Sequence, residues 1–270
     1  MRRLLSFACE DALLGATLDG AEAATGLLIV TGGSQTRIGS HRMFERLALA
    51  LSGQGYPAFR FDRRGIGDSE GEDRGFRGSA ADLSAAVQAF RSECPRLRQV
   101  IGFGLCDGAT ALALFGAATG LDGLILANPW LVEAEADAPP PAAIKRHYLQ
   151  QLTSRAGWRK VLTGSVSYRK LFKGLSKVAS ARPSSLAGDV ADMLIRHKLS
   201  VAMILARSDA TAVAAEAEWR SPRFRGVREA ALPVTYVETD SHTFARPGDD
   251  AALLAACLQA IKTMATSGRL

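Results

Sequence analysis

The 270-residue chain carries 33 Lys and Arg against 27 Asp and Glu, a formal charge of +6, with 47% hydrophobic and 22% charged residues. Length and composition fit a globular protein of one large or two small domains and exclude a disordered, collagen-like or heptad-repeat chain. Its apolar runs, such as residues 27–30, are too short to cross a bilayer.

Residues 1–9 superficially resemble an export signal, with Arg2 and Arg3 ahead of apolar residues and Cys9. Glu10 and Asp11 end that stretch too early for a signal core, so it reads as a strand leading through a turn to a second strand. Further strand-like runs follow at residues 27–30, 58–61, 99–103, 124–127, 201–205 and 234–237. Helical periodicity lies between and after them, in Phe44-Leu47-Leu49-Leu51, Leu83-Val87-Phe90 and Leu253-Leu254-Leu258-Ile261. Strands alternating with helices predict an α/β fold with a mostly parallel central sheet flanked by helices. Loops at the carboxyl ends of such strands are where ligands bind.

The alternation breaks once, between the strand ending near Asn128 and the one beginning near Val201. An acidic, proline-rich linker opens this stretch, and amphipathic residues such as Tyr148, Leu152, Trp158 and Leu171 follow. The expected division is a core of residues 1–130 and 200–270, with 131–199 a helical cap between the sixth and seventh strands. Residues 138–188 hold ten Lys and Arg and no acidic residue, leaving 23 basic against 27 acidic residues elsewhere. The positive charge is thus a property of the expected cap.

Cys9, Cys94, Cys106 and Cys257 form no CxxC pair, and His41, His147, His197 and His242 show no HxxxH spacing. No disulfide framework, metal site or cofactor is expected, and reduced thiols suit a cytoplasmic protein. Of the histidines, His41 reads as lying near a helix start, and His147 and His197 as solvated surface residues.

Chemistry concentrates at Gly102-Phe103-Gly104-Leu105-Cys106-Asp107-Gly108, a strand end that opens a helix. Gly-x-Cys-x-Gly matches a nucleophile elbow with cysteine in the serine position. So tight a turn strains the nucleophile's backbone and requires small residues two before and two after it. The following helix N-terminus favours a thiolate, and the Asp107 carboxylate opposes it. A buried cysteine in a Gly-rich turn would carry the same letters.

Partners follow in order. Asp209 lies past the strand at 201–205, and His242 past the strand at 234–237. Nucleophile, acid, histidine is one of the known chain orders for a catalytic triad. Asp209 also suits a helix N-cap, and His242 a surface loop. Asp240 is a rival acid, poorly placed two residues from His242. After the first long strand, Thr31-Gly32-Gly33-Ser34-Gln35-Thr36-Arg37 offers an oxyanion donor. Gly33 is the first choice and Ser34 the second, with the Asp107 amide as the other donor. Ser34, Arg37 and Trp130 are candidate substrate contacts, and Arg64 also lies on a strand-end loop.

Assembled, these residues resemble an α/β-hydrolase over nearly the whole chain. Asp62-Arg63-Arg64-Gly65-Ile66-Gly67-Asp68-Ser69 is similar to the superfamily's structural D-x-R-G-x-G-x-S loop. More narrowly, the cysteine elbow, Val30-Thr31-Gly32-Gly33 and Asn128-Pro129-Trp130 resemble the exosortase A system-associated hydrolases of the first type. That likeness implies a cytoplasmic hydrolase in bacteria that export exopolysaccharide and sorted surface proteins, with no established substrate.

The expected function is acyl transfer from an ester or thioester through Cys106, His242 and Asp209. A non-catalytic binding module on the same scaffold is the competing reading. A ring-opening hydrolase of the dienelactone type also uses cysteine but lacks so large a cap. The basic segment predicts an anionic small-molecule or carrier-linked substrate, or contact with an anionic membrane surface. No nucleic-acid motif accompanies the charge.

Overall fold

A computed structural model describes residues 1–20, 22–132 and 185–267. The expected cap lies largely in 133–184, outside the described residues. Eight strands form one sheet: β1 (Arg2–Cys9), β2 (Ala12–Asp19), β3 (Thr25–Val30), β4 (Ala58–Phe61), β5 (Gln99–Leu105), β6 (Gly123–Ala127), β7 (Ser200–Ala206) and β8 (Thr235–Val237). Their spatial order is β1-β2-β4-β3-β5-β6-β7-β8. β1, β2 and β4 pair antiparallel, and every pairing from β4 to β8 is parallel.

The parallel strands read as continuous apolar runs because helices cover them, as in Leu27-Leu28-Ile29-Val30, which is wholly buried. Helix α1 (Met43–Gly53) buries Phe44, Leu47 and Leu51, and α2 (Ala80–Glu93) buries Leu83, Val87 and Phe90 at helical spacing. α3 (Asp107–Phe115) follows β5 directly, and α4 (Ser185–His197) packs against α3. α5 (Ala210–Trp219), α6 (Arg225–Ala230) and α7 (Asp249–Ser267) complete the layers, with α7 beside α1.

The expected cap ran to residue 199, but α4 belongs to the body. Leu186, Ala187, Val190, Ala191 and Leu194 are all buried in the common core. Amphipathic periodicity alone does not tell a cap helix from a sheet-covering one.

Arginines fasten the loops at the functional edge. Arg37 reaches both oxygens of Asp62 and the carboxylate of Asp68, and Arg60 pairs with Asp19 at 3.0 Å. Arg64 is 3% exposed and meets Asp82 at 3.2 Å, where Asp82 also accepts from the Arg64 amide. Glu10 and Asp11 touch Arg64 from the surface. Removing the buried partner should be costly, because it strands a cation away from water. Asp82→Ala is therefore expected to lower the unfolding free energy by about 3 kcal/mol in urea titration; a loss below about 1 kcal/mol would show that the surface acids suffice.

Candidate active site

Cys106 sits between β5 and α3 with φ 56° and ψ −124°, a backbone conformation that L-residues rarely adopt. Strain of this kind costs on the order of 1–3 kcal/mol and persists only where surrounding structure imposes it. Here backbone packing imposes it. A Cβ at Gly104 would stand 2.6 Å from the Ala109 nitrogen, and one at Gly108 2.6 Å from the Thr31 carbonyl oxygen. Gly32 is as tightly set, since its Cβ would lie 2.4 Å from the Leu105 oxygen. The sequence reading found the two elbow glycines and passed over Gly32.

Asp209 and His242 meet. The Asp209 carboxylate lies 2.9 Å from His242 Nδ1, and the same oxygen accepts from the Ala212 amide at 2.9 Å. One carboxylate oxygen of Asp209 thus both faces the imidazole and caps α5. With Nδ1 on Asp209, Nε2 is the ring nitrogen left to face other groups, and Cys106 is close enough to act on the ring electrostatically. Burial disfavours the imidazolium, but the Asp209 hydrogen bond and charge, together with the neighbouring Cys106, outweigh it, pushing His242 up to about 10. Asp240 faces away, bound to Arg246 at 2.9 Å and held below its usual value by that guanidinium.

Two successive carbonyls of the His242 loop, those of His242 and Thr243, are pinned by distant side chains. Asn128 is fully buried with φ 41°, a left-handed turn that asparagine tolerates. Its Nδ2 donates to the His242 carbonyl at 2.9 Å, and its Oδ1 accepts from the Ala206 amide at 2.8 Å. One side chain thus ties the end of β7, which carries the acid, to the loop carrying the histidine. From the other side His41 Nε2 donates to the Thr243 carbonyl at 2.8 Å, while Arg46 donates to its Nδ1 at 2.9 Å. His41 and Arg42 both have positive φ, 43° and 63°. Neither Asn128 nor His41 was singled out for this role from sequence; an Asn-Pro pair at a strand end was the available signal.

The oxyanion candidates are placed unequally. Gly33 (φ 56°) is exposed, and its amide donates to Asp107 Oδ1 at 2.5 Å. Ser34 is exposed beside it. Arg37 is committed to Asp62, Asp68 and Thr17 rather than open to substrate. Trp130 adjoins the elbow through its backbone, its amide donating to the Cys106 carbonyl at 3.2 Å and its carbonyl accepting from Thr110 Oγ1 at 2.7 Å. Arg63, assigned no role from sequence, donates to the Gly33 carbonyl from a buried position. Among the described residues no group of His, Cys, Asp or Glu is arranged to hold a metal ion.

The sheet order, the strained elbow and the Asp209–His242 pair define an α/β-hydrolase. Residues 26–264 match the serine aminopeptidase family S33, and the chain belongs to that family. Where the family name specifies serine, this elbow carries Cys106. None of the curated proteins matches the sequence significantly. Among solved structures the chain resembles an esterase of Pyrococcus furiosus (16% identity, 98% of this chain and 91% of that one, TM-score 0.65). It also resembles the α/β-hydrolase GrgF from Penicillium sp. sh18 (17%, 98% and 99%, 0.63) and the thioesterase domain from the curacin biosynthetic pathway (15%, 96% and 99%, 0.59).

Two outcomes follow from this geometry. Asn128→Ala leaves the buried Ala206 amide unpaired and frees the His242 loop, so kcat for any ester turned over should fall about 10-fold or more, with KM changed less; equal loss in both would indicate a binding defect instead. His242, raised from 6.5, contributes stability that is complete below about pH 6.5 and lost as pH rises through about 10. The thermal midpoint of the native protein should exceed that of His242→Gln most at pH 6 and converge toward it by pH 10; a constant gap would contradict the pairing.

Proposed function

We propose that the protein is a cysteine-dependent ester or thioester hydrolase, or acyltransferase, working through Cys106, His242 and Asp209. The single observation that carries this reading is His242 held on Asp209 at 2.9 Å, with the strained Cys106 elbow as its neighbour.

The Cys106 sulfur attacks the acyl carbonyl carbon, and the π pair moves onto the oxygen. His242 holds the thiol proton and passes it to the leaving alcohol or thiol as the C–O or C–S bond breaks. Backbone amides of Asp107 and of the Gly33–Ser34 loop receive the oxyanion. Water then attacks the acyl-enzyme, His242 takes its proton, and the S–C bond breaks to return the thiol. The intermediate is itself a thioester, so an acceptor other than water can complete the transfer. Its resting proton on His242 readies the site for the leaving-group step.

Esterase and thioesterase structures with the same fold support an ester or thioester substrate class. The elbow, Gly32-Gly33 loop and Asn128-Pro129-Trp130 motif support a place beside the exosortase A system-associated hydrolases, and four free cysteines suit the reducing cytoplasm. No described helix is long and apolar enough to cross a membrane. The ten basic residues and absent acids of 138–188 support an anionic or carrier-linked acyl substrate, with an anionic membrane surface as the other electrostatic partner.

A panel of aryl esters and acyl-thioesters of graded chain length tests the reading. Cys106→Ala and Cys106 alkylation should each abolish turnover, by about 1000-fold or more. Asp240→Asn should leave it near the native rate. Turnover that survives loss of the Cys106 thiol would overturn the mechanism, and a native protein inert on every member would favour a binding module.

A further inference from the structure

Arg63 is the one buried arginine of this edge that no carboxylate neutralises among the described residues. Its neighbours Arg37, Arg60 and Arg64 pair with Asp62, Asp19 and Asp82. Arg63 is 3% exposed, and one of its terminal nitrogens donates to the Gly33 carbonyl, while Nε and Nη1 are buried without a hydrogen-bond partner. A buried cation without a counter-charge is strongly unfavourable, and a group left in that state calls for a role.

The role is suggested by what else holds Gly33. Its carbonyl faces the Arg63 cation, and its amide, 2.5 Å from Asp107 Oδ1, faces a carboxylate. Gly33 has φ 56° and nothing within 4 Å of where a Cβ would stand, so no side chain crowds this residue. A carboxylate oxygen on an amide beside the nucleophile occupies the kind of position a reaction oxyanion takes. Two anions cannot share that donor in contact, because like charges at that separation repel and one amide proton cannot serve both.

We propose that the oxyanion loop is occupied at rest by the protein's own Asp107 carboxylate, and that the buried Arg63 guanidinium behind Gly33 makes this loop a seat for negative charge. Asp107 is the resident anion that substrate displaces. Arg63 touches no substrate; it is a positioning residue that orients and polarises the loop through Gly33. Its charge stabilises Asp107 before the reaction and the oxyanion during it. The inference rests on the acyl-transfer reading only for its catalytic consequence.

Three measurements on the full chain separate these elements. The first is acylation of Cys106 by p-nitrophenyl acetate, which builds an oxyanion. The second is alkylation by iodoacetamide, which does not. The third is the amide proton of Gly33 in protein labelled with nitrogen-15 glycine. Asp107→Asn should raise acylation about tenfold beyond any change in alkylation and shift the Gly33 proton upfield. Arg63→Met should lower acylation about tenfold at unchanged KM and also move the Gly33 proton, with Arg63→Lys recovering part of both. If Arg63→Met does not fold, the lysine variant is read alone and should still lower acylation. Equal gains in acylation and alkylation from Asp107→Asn would assign its effect to thiol electrostatics and overturn the proposal, as would a Gly33 proton indifferent to both residues. A native protein that acylates on no ester, yet whose Gly33 proton answers to both residues, would retain the anion seat while the acyl-transfer reading fails.

Discussion

Everything at the functional edge depends on the close backbone contact between the β3 loop and the β5–α3 turn. Gly32, Gly104 and Gly108 let these chains approach to distances no Cβ permits. That approach holds Cys106 in its strained conformation, with its amide on the Ala127 carbonyl of β6 and its carbonyl receiving the Trp130 amide. The strain is small beside the stability of the sheet whose pairings impose it, and it lifts the thiol to the strand-end face. The same contact sets Gly32 against Cys106 and Gly33 against Asp107, so the elbow and this loop are one packing unit.

Around this unit, polar side chains do different work according to whether they are paired. Arg37, Arg60 and Arg64 are bracketed by carboxylates and serve as fasteners, which removes Arg37 and Arg64 from the pool of substrate contacts. Asn128 and His41 reach across the fold to the successive carbonyls of His242 and Thr243, so the histidine is held by backbone anchors as well as by Asp209. Burial disfavours a proton on His242, and the hydrogen bond to Asp209 favours one. Charge placement, more than shape, thus distinguishes the site from an ordinary strand-end loop.

The strand runs and their order were legible because parallel strands buried on both faces leave continuous apolar stretches, and the elbow because its glycines are spaced by a steric rule. Cys106, Asp209 and His242 stood out as candidates for the same reason: each follows a strand, where the topology gathers loops. The body helix α4 was misassigned to the cap since its apolar stripe looks the same whichever surface it covers. Asn128, His41 and Arg63 stayed hidden because their roles come from partners far away in sequence: 114 residues separate Asn128 from His242, and 202 separate His41 from Thr243. The capture of the Gly33 amide by Asp107 is likewise a tertiary event with no local pattern.

The central claim is that Cys106 carries an acyl group between two half-reactions. Acid-quenched intact-mass spectrometry within seconds of mixing the native protein with an activated acyl-thioester tests it most directly. A mass increase equal to the acyl group, located on the Cys106 peptide and decaying as product accumulates, is the predicted result. Product forming with no acylated Cys106 at any time, or acyl groups only on Cys9, Cys94 or Cys257, would contradict the account.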